Sequence, residues 1–350
     1  SVEQISLKLE KIYQAAMKNS FINKDSKSEF KFINLDMEEY RDINLTIDVF
    51  IKTLSLDEFK NLHAGIVLQT YIPEALSYLQ KLYNWAKKRV EHGGAPIKVR
   101  LVKGANQEME QTEASLRGWP CVTYQNKPQS DANFKVLMNF LLDKDVAPYI
   151  HIGIASHNLF DQALAFLLSK QRGVKEYFSA EMLEGMSETA YHILKYDKIN
   201  VILYAPTATA QTFTNAIAYL VRRFDENTAE QNYLRHSFGL KVPSEAWDVL
   251  LKSYDDSLKI LPDLPMLPFR NQDRNLEIPK DDIDSEKYIF ANESDTDFVL
   301  RENQIWAQNI RDKWKNISKK EPFKAYPAIA GELISGDVIK EIIDKSQYHE

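Results

Sequence analysis

A chain of 350 residues that is 44% hydrophobic and 27% charged has the apolar material for a large core and one or two globular domains. Its net charge of -6 excludes nucleic acid as the main partner, because binding a phosphate backbone needs a concentrated basic surface. The longest apolar runs fall short of the ~20 residues of a membrane span, and the opening SVEQISLKLE lacks the features of a secretory signal, so a cytoplasmic protein is expected.

In chain order, strands are predicted at 32–36 (FINLD), 65–70 (GIVLQT), 97–102 (IKVRLV), 151–154 (HIGI), 176–181 (EYFSAE) and 200–204 (NVILY). Helical patterns lie between them. The clearest covers 73–90, where Ala75, Leu76, Leu79, Leu82, Tyr83, Ala86 and Val90 make one apolar stripe. Repeating βα units imply a parallel sheet with right-handed crossovers, either an open doubly wound sheet or a (β/α)8 barrel. The polar residues favour the barrel. Asp36 and Glu38, Gln69 and Tyr71, Arg100 and Lys103, Ser156 to Asn158, Glu181 and Glu184, and Tyr204 stand at successive strand ends, which in a barrel converge on one mouth.

From 212 to 226, Phe213, Ala216, Ile217, Leu220, Val221 and Phe224 recur at helical spacing, after a start supplied by Pro206 and the run 207–212. Tyr219, Arg222, Arg223 and Glu226 then fall at i, i+3, i+4 and i+7 and share one face. Such a face is more often a solvated set of salt bridges than a binding surface, so its neighbours decide. After about residue 255 the periodicity fades into LPDLPMLPFRNQDRNLEIPKDD, a linker or surface strap, followed by one helical segment at 302–317.

None of the 11 glycines builds a GxGxxG or GxxxxGK[ST] fingerprint, so a nucleotide would have to be held without a Rossmann or P-loop turn. The seven scattered histidines offer no metal-ligand spacing, and the single Cys121 is read as structural. Arg222 and Arg223 are planar cationic forks suited to a carboxylate or phosphate, with Tyr204 and Tyr219 as aromatic walls. Lys103 suits either a Schiff base or an anion, and the neighbouring Arg100 favours the anion. His157 is either an acid–base catalyst or a structural or phosphate contact.

The ordered set VRLVKGAN (99–106), SHN (156–158), EMLEGM (181–186), LYAP (203–206) and YLVRRFDENTAEQN (219–232) resembles the proline dehydrogenase domain of bifunctional bacterial proline utilization A enzymes, over about residues 30 to 240. The resemblance implies a distorted (β/α)8 barrel that binds FAD and oxidises L-proline to 1-pyrroline-5-carboxylate by hydride transfer, the first step of proline catabolism to glutamate. It places the proline carboxylate on Arg222 and Arg223, the pyrrolidine ring among Tyr204, Tyr219 and Leu101, and a hydrogen bond at Asp36. For FAD it implies Gln69, Arg100, Val102, Lys103, Gly104, Lys127, Ser130, His157, Asn158 and Glu226, with no metal and no covalent catalyst. It also implies a membrane quinone as electron acceptor, and leaves peripheral membrane contact and homo-oligomerisation open.

FANESDTDFVLRENQIWA (290–307) further resembles the opening of the aldehyde dehydrogenase domain that follows in those enzymes, whose NAD site is not reached. The expected organisation is a partial barrel over 1–255, a linker over 256–285 and a stub of that second domain over 286–350. Three departures stand out: Asn106 and Gln107 where the family string reads KGAYW, Ser156 where threonine is frequent, and Glu181 where glutamine is. The family's first two strands, one with a substrate-facing lysine, are expected before Ser1, so that about six of eight strands and low activity are expected here. Two other readings compete: a Schiff-base barrel aldolase using Lys103, and a non-catalytic barrel that binds carboxylates.

Overall fold

A computed structural model describes residues 2–22, 26–228, 232–276, 292–320 and 326–334. The chain opens with α1 (Val2–Lys18), which buries Leu9, Tyr13 and Ala16 and was not foreseen as an element. A short exposed antiparallel hairpin follows, β1 (Phe21–Ile22) with β2 (Ser28–Glu29). Then the repeating units begin: β3 (Ile33–Leu35), α2 (Ile43–Leu54), β4 (Ala64–Gln69), α3 (Ala75–Glu91) and β5 (Ile97–Val102). Two helices, α4 (Gln107–Arg117) and α5 (Lys127–Leu141), bridge to β6 (Ile150–Ala155). The series ends with α6 (Leu159–Gln171), β7 (Phe178–Leu183), α7 (Glu188–Tyr196), β8 (Val201–Tyr204) and α8 (Phe213–Thr228). Short α9 (Tyr233–Ser237) and α10 (Glu245–Lys259) follow.

Strands β3 to β8 form one six-stranded sheet in sequence order, every pair parallel. This is the curled half-barrel of a distorted (β/α)8 fold. β4 is buried along its whole length, as a parallel strand covered on both faces must be. All six expected strands are present, with one shifted. The run expected at 176–181 pairs only from Phe178, because Lys175–Tyr177 close a 3-10 turn after Gly173 (φ +72°) ends the preceding helix. α5 starts where Asn126 accepts a hydrogen bond from Gln129 N and Pro128 fills the first turn, and α10 packs against it.

Two compact units divide the chain, Ser1–Asn271 with Ile289–Asp295, and Gln272–Tyr288 with Thr296–Glu350. In the first, Ile260, Leu261, Leu264, Met266 and Phe269 pack on Tyr124, Ala132 and Val136, so the proline-rich start of the expected linker is a strap held on the sheet's helices. The remainder of that linker from 277 on lies outside the described residues. In the second unit, α11 (Arg301–Lys320) is anchored by buried Asn303, whose side chain bonds Gln272, the Asp297 carbonyl and Arg274 N, and a small hairpin joins β9 (Ala328–Ile329) to β10 (Glu332–Leu333).

Candidate active site

The C-terminal ends of β3 to β8 converge on a cavity of about 550 Å³. Parallel registry brings them level: Val67 lies opposite Arg100, Gln69 opposite Val102, and Arg100 opposite Gly153. Of the residues expected there, Asp36, Gln69, Arg100, Val102, Lys103 and Gly104 line it from the first three strands and their loops. Lys127, His157, Asn158 and Tyr204 line it from later elements, and Tyr219 and Arg223 from α8.

Leu101 is fully buried and is not among the lining residues. Strand alternation is the reason: Arg100 and Val102 face the cavity, so the residue between them faces the helices. Ser130 is buried as well and is not among the lining residues; its carbonyl accepts from the Thr70 hydroxyl. The backbones of Arg222 and Glu226 belong to α8, and their side chains lie outside the described residues.

At the centre, Arg100 donates from Nε to Glu181 Oε2 at 2.7 Å and from Nη1 to Asp36 at 2.7 and 2.9 Å, while its guanidinium lies 3.9 Å from the centroid of the Tyr204 ring. Burial works against the charge on Arg100, but Glu181 and then Asp36 outweigh it and raise its pKa. Lys98 Nζ sits 2.5 Å from Glu181 Oε1. Burial lifts and these two cations lower the Glu181 carboxyl, with the net shift downward.

A second ionic cluster holds Lys103, whose Nζ is 2.6 Å from Asp131 Oδ1 and 2.8 Å from Asp161 Oδ2. Lys127 reaches Asp131 Oδ2 at 2.5 Å, and Ser156 donates to Asp161 at 3.1 Å. Burial disfavours the Lys103 ammonium, yet the two carboxylates prevail and hold its pKa above the ordinary lysine value. A Schiff base needs the free amine, so this environment opposes the aldolase reading. Lys103, Lys127 and Lys135 against Asp131 and Asp161 leave one positive charge in excess, which suits an anion at the cavity wall.

His157 Nε2 accepts from Leu183 N at 3.4 Å, which assigns the ring proton to Nδ1. Burial, followed by the charge of Arg223, pushes its pKa down to about 4, so the ring is neutral at physiological pH. Gln69 donates from Nε2 to the Met37 and Glu38 carbonyls, which fixes the amide with Oε1 as its remaining acceptor. Among the described residues, Gln69 Oε1 and His157 Nδ1 are both buried without a hydrogen-bond partner. An acceptor and a donor left open on cavity-lining residues fit a polar planar ligand such as FAD, as does the excess lysine charge for its pyrophosphate. Gly104 has a more local reason: its φ is +126°, and a Cβ there would stand 2.5 Å from the Tyr71 ring.

Several site residues escaped sequence reasoning. Asp131 and Asp161, which hold Lys103, sit inside helices, and only the i,i+4 spacing of Lys127 and Asp131 hints at one of them. Asn232, Tyr233 and Leu234 also line the cavity, brought there by α9. Asn106, where the family string has an aromatic, donates to the Glu38 carbonyl at 2.7 Å.

The family model described as proline dehydrogenase matches residues 1–236. The chain belongs to the proline dehydrogenase family. That match starts some way before the motifs, because α1 carries no site residue and shows itself only through its buried face. Among solved structures, proline utilization A from Corynebacterium freiburgense is 33% identical with a TM-score of 0.70, covering 92% of this chain and 30% of that one. Proline utilization A from Bdellovibrio bacteriovorus inactivated by N-propargylglycine is 27% identical, TM-score 0.75, covering 97% and 31%. A proline utilization A with proline bound in remote sites is 25% identical, TM-score 0.62, covering 76% and 25%. This chain thus spans about a third or less of the solved proteins it matches. No curated protein matches it.

Proposed function

We propose that this proline dehydrogenase domain binds FAD in the cavity and oxidises L-proline to 1-pyrroline-5-carboxylate, the first step of proline catabolism to glutamate. The observation that carries the reading is the convergence of Arg100, Lys103, His157 and Arg223 on one cavity at the strand ends, within a chain of this family. FAD, when bound, supplies the hydride acceptor, and the protein supplies position and charge.

In this reading Arg222 and Arg223 clamp the substrate carboxylate, a bidentate task that guanidinium geometry suits. Tyr219, whose ring lies 5.1 Å from the Arg223 guanidinium, and Tyr204 wall the pyrrolidine ring. Orientation of the reacting carbon is then set by the carboxylate at one end and the aromatic walls at the other, so that the reacting atoms meet without a covalent protein intermediate. Asp36 and Arg100 fix the cavity floor, Lys103, Lys127 and neutral His157 face the pyrophosphate, and Glu226 takes a ribose hydroxyl. Leu101 contributes from behind, as buried support for Arg100 and Val102.

The acceptor proposed from the family is a membrane quinone, which calls for peripheral contact with a bilayer; among the described residues no helix is long and apolar enough to cross one. Residues 286–350 are proposed as the opening of an aldehyde dehydrogenase domain, so NAD is not assigned to this chain. The test is an absorption spectrum of the purified protein loaded with FAD. A flavin band that bleaches on anaerobic addition of L-proline, with the flavin released by acid precipitation, is expected. Retained flavin that proline does not bleach sinks the substrate assignment, and no flavin uptake sinks the cofactor.

A further inference from the structure

We infer that Glu181 is a positioning residue for Arg100, and that Lys98 supplies its counter-charge inside the barrel. Among the described residues Arg100 has two carboxylate partners, Asp36 and Glu181, and their surroundings separate their roles. The Asp36 side chain is 61% exposed, whereas that of Glu181 is 1% exposed. An ion pair open to water is screened and easily exchanged, while a buried, charge-assisted hydrogen bond is not. The Nε–Glu181 bond is therefore the fixed anchor, and the Nη1–Asp36 pair is the one that a ligand can displace.

Backbone placement shows that the anchor is built into the sheet. Lys98 and Arg100 are two apart on β5 and share its inner face, and Glu181 reaches them from β7 across the intervening β6. The strand between must be bare for this to happen. At Gly153 a Cβ would lie 1.9 Å from Glu181 Oε1 and 2.8 Å from Lys98 Cε, so this glycine makes the passage. Lys98 is not itself among the lining residues, yet it is buried on the carboxylate's other oxygen. Its role follows from charge: Lys98 and Arg100 against Glu181 and Asp36 sum to zero, so Arg100 is held without leaving a net charge under the ligand. The stacked Tyr204 ring closes the remaining side of the guanidinium.

The first experiment needs no flavin. Phenylglyoxal labelling of the full chain, mapped by mass spectrometry, reports how freely Arg100 moves, and Arg89 is the internal reference because its guanidinium is held by backbone carbonyls of Phe59, Lys60 and Leu62. Relative to Arg89, Arg100 should label at least about threefold faster in Glu181→Gln and in Lys98→Met/Glu181→Gln, and at the wild-type rate in Lys98→Met. Equal rates in wild type and Glu181→Gln overturn the inference, and so does an equal rise in Lys98→Met. The second experiment rests on the flavin reading above. With FAD bound, Glu181→Gln leaves one uncompensated positive charge and should raise the midpoint potential by about tenfold in the reduction equilibrium, about 30 mV for a two-electron couple. Lys98→Met should lower it, and the double variant should return to the wild-type value. A double variant that stays with Glu181→Gln overturns the charge balance; a wild-type chain that takes up no flavin counts against the cofactor, with the labelling result unaffected.

Discussion

Lys103 shows how the site's charges constrain what each residue can do. It is pinned between two buried carboxylates, Asp131 and Asp161, so its removal leaves two like charges in a dry environment with fewer cations to balance them. Breaking a buried pair by deleting one partner is worth about 3–5 kcal/mol. Lys103→Met is therefore expected to lower the unfolding free energy by that order in urea titrations, and Lys103→Met/Asp131→Asn to recover part of it. A single variant as stable as the wild type would show that the cluster is solvated. The arginines of α8 are expected to behave differently, because their proposed partner is the substrate. Arg222→Met and Arg223→Met should each remove a charge-assisted contact of about 1.5–3 kcal/mol, raising KM for proline roughly ten- to a hundredfold with flavin retained. Steady-state kinetics with a dye acceptor check this, and an unchanged KM in both variants returns the pair to solvent.

Gly153 links residue to element. Because Glu181 and Lys98 are pinned to each other across it, Gly153→Ala cannot be absorbed by a simple rotamer change, and an overpacking penalty of about 1–3 kcal/mol is expected. A denaturation midpoint unchanged by the substitution would mean that the pair crosses β6 elsewhere. Such crossings are invisible in sequence, where Gly153 is only a small residue within HIGI. The strands themselves were legible, since β-rich runs with polar C-terminal ends are a local pattern. The spacing of Tyr219, Arg222, Arg223 and Glu226 put them on one face of α8 but did not say which way it points; in the structure Tyr219 and Arg223 line the cavity. The exposure of its other face was not legible either. Phe213, Ile217, Leu220, Val221 and Phe224 are exposed in the structure, because a helix that aims Tyr219 and Arg223 at the cavity turns the opposite side away from it. Leu101 lies behind the cavity wall for a related reason: a motif transfers neighbours together, but a strand sends them to opposite faces. Asp131 and Asp161 lay in helices whose apolar pattern said nothing of where a lysine from another element would arrive.

On the scale of the whole molecule, the sheet's two ends carry opposite polar strategies, and the difference predicts how the fold responds to acid. At the end away from the cavity, His63 lies 4.9 Å from His151, flanked by Phe32 at 5.3 Å and Tyr177 at 5.1 Å, with ring centroids as the measure. Burial, then the charges of His151 and Lys98, holds His63 down to about 3; burial and then Lys98 hold His151 to about 4. With His157 at about 4, three histidines are neutral in the folded state well below their ordinary value of 6.5. Above about pH 6.5 neither state takes up these protons and stability is flat. From there down to about 4 the unfolded chain binds protons that the folded one refuses, so stability falls as pH falls, by at most about 1.4 kcal/mol per pH unit for each histidine. Glu181 and Asp131, whose pKa values are lowered once neighbouring cations outweigh burial, add loss in the same direction, but only below the ordinary carboxylate range. Glu74 and Glu110 oppose it, because burial raises theirs and the folded state protonates first. The onset between pH 6.5 and 5 therefore belongs to the histidines. Urea midpoints should be level from pH 8 to 7 and drop progressively from 6.5 to 5, and His63→Phe/His151→Phe should flatten most of that slope. If the double variant keeps the wild-type slope, the acid response lies at the cavity end, with His157, and not at this aromatic cluster.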